Sequence, residues 1–117
     1  MWVVAKIKYN QLEIFKKELE KKIKNKPIYY LPKIKVEKNQ KTKVIKYTKS
    51  ILENYVFCFH KNFKNSKLIE QLKFTKGLDF FLTGYRLNQN QITSFIDYCR
   101  SFENNEGFLM PLFFEKL

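Results

Sequence analysis

Along the chain, apolar and polar positions alternate in a way that marks out eight segments. Trp2–Ile7 is a β-branched and aromatic run of strand length, as expected for a strand buried on nearly both faces. Asn10 stands at an N-cap position with Glu13 three residues later, a capping box. Leu12, Phe15, Leu19 and Ile23 then recur at helical spacing until Asn25-Lys26-Pro27 stops the helix. Residues 28 to 31 form a short apolar strand ended by Pro32. Ile34 and Val36 continue extended chain with lysines on the other face, residues 39 to 41 read as a hairpin tip, and residues 44 to 47 return antiparallel. Tyr55–Phe59 is the strongest strand signal and is expected at the centre of a sheet. A short helix over Ser66–Leu72, a break at Gly77 and a strand over residues 78 to 82 that Gly84 ends come next. The last helix is predicted over residues 90 to 102, with Ile92, Phe95, Ile96, Cys99 and Phe102 on one stripe.

This β-α-β-β-β-α-β-α order predicts an α+β fold: a mostly antiparallel four-stranded sheet packed with helices, from which a basic hairpin projects. The length, 117 residues, fits one domain. That domain is expected over residues 1 to 107. An apolar tail follows at 108 to 117, where Pro111 argues against a continuous helix and for an extended segment lying on the domain.

Composition sharpens this picture. Apolar residues make up 44% and aromatics 17%, enough packing material for a folded chain despite a formal net charge of +12. The charge is lopsided: residues 1 to 49 hold 15 Lys against 4 Glu, whereas the remainder holds 8 basic and 7 acidic side chains. Residues 33 to 49 alone carry 7 Lys and one Glu. Such a field favours a polyanion, and its dominance by Lys over the 2 Arg favours phosphate contact over base readout.

Several chemistries are excluded as expectations. Cys58 and Cys99 sit inside apolar patterns and read as buried free thiols. The single His60 has no cysteine or carboxylate at metal spacing, and 3 glycines build no phosphate loop. No catalytic residue, cofactor or metal is expected, and the protein is not read as an enzyme. Lys6 and Lys8 interrupt the apolar start, and no run reaches the ~18 residues of a membrane span, so a cytoplasmic monomer without a membrane partner is expected.

Three segments together resemble the N-terminal (NGN) domain of the NusG/RfaH family of transcription elongation factors. The first is Trp2-Val3-Val4-Ala5-Lys6, followed by a polar loop and an amphipathic helix. The second is a basic hairpin arm from Leu31, leading into Leu52-Glu53-Asn54-Tyr55-Val56-Phe57, similar to the family's F-P-N-Y-L-F. The third is Phe74-Thr75-Lys76-Gly77-Leu78, similar to its S-T-R-G-V. Glu53 stands where the family has proline, Leu52 where it has phenylalanine, and the usual Val-Pro before the last helix is absent around Asn88. No segment resembles the family's second, KOW-type barrel.

The resemblance implies binding to the clamp helices of the RNA polymerase largest subunit and contact with the non-template DNA strand, so as to modulate pausing, antitermination and termination. The positions matching the polymerase-binding depression are Leu52, Tyr55 and Phe57, with Ile92 and Phe95 on the last helix. Lys8, Gln11, Thr75 and Lys76 match the nucleic-acid face. The tail could be plain structure or could mask the depression around Tyr55. A competing reading is a free-standing RNA- or single-stranded-DNA-binding module that uses the lysine arm and sheet aromatics.

Overall fold

The computed structural model describes residues 1–116. The fold is α+β. Strands β1 (Trp2–Ile7), β2 (Ile28–Tyr30), β5 (Tyr55–Phe59) and β6 (Leu78–Phe81) form an antiparallel sheet in the order β2-β5-β1-β6. The inner places thus go to the two longest strands of this sheet. Strands β3 (Lys33–Gln40) and β4 (Lys43–Ser50) pair only with each other and make the projecting arm. The arm lengthens the molecule to 53 × 29 × 22 Å and raises the radius of gyration to 15.9 Å, against about 13 Å for a compact chain near this length. Among the described residues, no helix is long and apolar enough to cross a membrane.

Strand alternation sends side chains to two separate cores. Val3, Ala5 and Ile7 of β1 and Val56 and Cys58 of β5 face helix α1 (Leu12–Lys22), a 3₁₀ turn at Lys61–Lys64 and helix α2 (Ser66–Leu72). Phe15, Leu19, Phe63 and Leu72 close that side. Val4 and Phe57 face the other way and, with Tyr30, meet Ile96 and Cys99 of helix α3 (Gln89–Ser101). Each buried aliphatic or aromatic side chain contributes about 1.5–3 kcal/mol. Gln89 fastens α3 to the sheet: its side-chain oxygen accepts from Trp2 N–H at 2.9 Å and its amide donates to Trp2 O at 2.7 Å.

Local details differ from the sequence pattern in four places. Asn10 is not the N-cap of α1; it takes a left-handed φ of 56° in the preceding turn, a conformation asparagine tolerates, and Gln11 holds the cap position without a side-chain bond. The arm turns at Lys41 and Thr42 instead of residues 39 to 41. Its register puts Lys49 opposite Ile34 and Lys38 opposite Ile45, so lysines occupy both faces. The tail is not simply extended. Leu109 bridges to Glu103, and Pro111 then starts a one-turn helix α4 (Leu112–Glu115), consistent with the ease of proline at a helix start. Fourth, Glu53, in the turn before β5, takes a left-handed φ of 53°.

The tail is packed onto α3 and the start of β3. Leu109 N–H donates to Lys33 O at 2.9 Å, Met110 N–H to Phe102 O at 2.8 Å, and the buried Phe113 ring lies 5.7 Å from Tyr98 and 6.0 Å from Phe102.

Candidate functional site

The α3 side of the sheet is only partly roofed. Phe95 reaches Phe57 with ring centroids 5.9 Å apart, and Ile92, Leu52 and Tyr55 pack half-buried against the same cluster. The structure thus brings all five residues expected to bind polymerase to one apolar face. Phe57 needs correction: at 6% exposure, held between Tyr30, Trp2 and Phe95, it is the floor of this face and offers a partner no accessible ring. A partner would touch Leu52, Tyr55, Ile92 and Phe95.

Beyond the reach of α3, one row crosses three strands. Tyr55 of β5 pairs with Lys6 of β1, which pairs with Phe80 of β6. The Lys6 ammonium lies 5.7 Å from the Tyr55 ring centre and 5.8 Å from that of Phe80, and 3.9 Å from Asp79. A bulge between Lys6 and Ile7 leaves Asp79 unpaired in the ladder, letting its carboxylate approach. Sequence reasoning missed Lys6 and Phe80. The available signal was Lys6 itself, a charge at an outward position of an otherwise apolar central strand.

The nucleic-acid candidates also converge. Lys8, Gln11, Thr75 and Lys76 line one open groove of about 620 Å³ together with Lys73 and Phe74. What joins these distant segments is backbone. Lys8 N–H donates to Gly77 O at 2.9 Å, and Gly77, at a φ of 88°, presses so closely on α1 that an added Cβ would lie 2.9 Å from Gln11 O and 3.0 Å from Phe15 N. Only glycine fits there. Thr75 is the second correction. It is 3% exposed and its hydroxyl donates to Leu72 O at 2.5 Å, closing the end of α2, so it cannot reach a nucleic acid. Phe74, missed from sequence, is the aromatic of the groove at 80% exposure, with the Lys73 ammonium 5.9 Å from its ring. An exposed aromatic beside lysines can stack an unpaired base while the ammonium groups neutralise phosphate.

The apolar face and the groove meet at the β1–α1 corner. Tyr55, Lys8 and Gln11 share a second depression of about 350 Å³, whose wall is tied by Ile7 N–H donating to Asn54 O at 2.7 Å. Other chemically versatile side chains are committed to structure. His60 is buried, its Nε2–H donating to Lys24 O at 2.7 Å and its Nδ1 accepting from Asn62 N–H at 3.0 Å. Cys58 and Cys99 are buried free thiols; burial raises both above the usual thiol range, Cys99 to about 11. No protein-family model matches this chain, and no curated protein sequence does either.

Proposed function

We propose that this chain acts as a NusG-type N-terminal module, a non-catalytic factor that docks on the clamp helices of RNA polymerase and contacts the non-template DNA strand to modulate pausing and termination. The observation that carries the reading is the half-open face of Leu52, Tyr55, Ile92 and Phe95 over the buried Phe57, adjoining the basic groove at one corner. A pair of helices would bury these side chains at the centre of its contact, where Tyr55 supplies both apolar area and a hydroxyl. The groove of Lys8, Gln11, Lys76 and Phe74 would then hold the DNA strand beside the clamp. Binding both would favour closed over open or swivelled states of the enzyme, a shift of population and not a chemical step.

The test is retention on purified core polymerase. Retention that disappears when the clamp helices are deleted is expected. Equal retention by both enzymes, or none by either, overturns the reading.

A further inference from the structure

We propose that one face of the β3–β4 arm is a binding surface for single-stranded nucleic acid, with Lys38, Lys41, Lys43 and Lys49 neutralising phosphates and Tyr47 stacking a base. This stands apart from the polymerase reading and from the groove at Lys8. The register sorts the seven arm lysines into two chemical groups. Lys33, Lys35 and Lys46 share the face of Glu37 and Thr48, and each has a partner. The ammonium groups of Lys33 and Lys35 lie 5.1 and 5.2 Å from the Phe108 ring, Lys35 pairs with Glu106 at 3.1 Å, and Lys46 pairs with Glu37 at 3.6 Å. Lys38, Lys43 and Lys49 occupy the opposite face and Lys41 the turn. None of these four ammonium groups has an ion pair, hydrogen bond or aromatic partner among the described residues.

Tyr47 sits within this second group at 44% exposure. Lys49 is two residues along its own strand, about 7 Å away, and Lys38 is its diagonal neighbour at about 7–8 Å. Lys43 and Lys49 are six residues apart, so the row extends about 20 Å. An aromatic face between unneutralised lysines matches the recognition of a strand whose bases are unstacked, because every base offers a π-face and every phosphate releases counterions on contact. An acidic helix holds no comparable condensed counterions. A membrane is disfavoured because the outermost residues, Gln40 to Lys43, are polar or charged while Ile45 and Tyr47 lie behind them.

The test is a fluorescence-anisotropy titration of the whole chain with a labelled oligothymidylate across a salt series, with no polymerase present. Substituting Lys38, Lys41, Lys43 and Lys49 together by Gln is expected to flatten the log K against log salt slope by about 2.8, or ~0.7 per phosphate. The same change at Lys33, Lys35 and Lys46 is expected to alter it by less than one contact. Tyr47→Ala should weaken binding about tenfold with the slope intact. Equal loss from either lysine set, an unchanged affinity for Tyr47→Ala, or tighter binding to a duplex of equal length overturns the proposal. So does binding only to anionic vesicles or polyglutamate. A parallel Lys8→Ala, Lys76→Ala variant separates the groove: loss of binding confined to that variant counts against the arm and leaves the groove standing.

Discussion

The two faces of the sheet hold similar amounts of apolar material but are finished differently. On the α1 side, two helices and a 3₁₀ turn cover the strands, and Val3, Ala5, Phe15, Leu19, Val56 and Phe63 are wholly buried. On the α3 side, one long helix and the short tail do the covering, and a ring of half-buried side chains remains around Phe57. Helix α3 packs over the Val4–Phe57 pair, and the Tyr55-Lys6-Phe80 row, two residues further along the strands, is left at the margin. The closed face holds the fold and the unfinished face is the one with apolar surface to offer a partner.

This contrast is most easily broken at the closed face. Phe15→Ala removes a ring from the sealed core and should lower the unfolding free energy by about 3–5 kcal/mol, measured by urea denaturation. A loss below ~1 kcal/mol would mean that this core is not the stabilising one. Phe113→Ala tests whether the tail belongs to the roof of the other face. A loss of about 3 kcal/mol without gain in polymerase affinity is expected, whereas tighter polymerase binding at little cost in stability would make the tail a mask over Tyr55. The smallest effect lies in the turn leading into β5. Glu53→Gly relieves a left-handed backbone and should raise stability by about 0.5 kcal/mol; a loss would show that the Glu53 side chain contributes more than its φ costs.

Much of this fold was legible because the periods were clean. The i, i+3, i+4 pattern from Leu12 to Ile23 and the stripe from Ile92 to Phe102 gave the helices, and the Tyr55–Phe59 run gave a central strand. What escaped depended on contacts between distant segments. Phe57 and Tyr55 share a strand face, and the convergence of Trp2, Tyr30 and Phe95 on Phe57 makes one of them floor and the other margin. Thr75 has the look of a surface residue in a Thr-Lys-Gly turn, but it is buried and its hydroxyl turns back onto Leu72 O at the end of α2. The sidedness of the arm lysines follows from a two-residue turn at Lys41 and Thr42; a turn one residue longer would exchange the faces of β4. Pro111 argues for an extended tail, yet proline equally opens a helix, and α4 starts directly after it.

The central claim is that the margin around Tyr55 serves binding and not folding. Measuring polymerase affinity and urea stability on the same preparation of Tyr55→Ala tests it directly. The account predicts a Kd raised by at least about 30-fold, equivalent to ~2 kcal/mol, with stability within about 1 kcal/mol of the unsubstituted chain. An unchanged Kd, or a chain that unfolds, would contradict it.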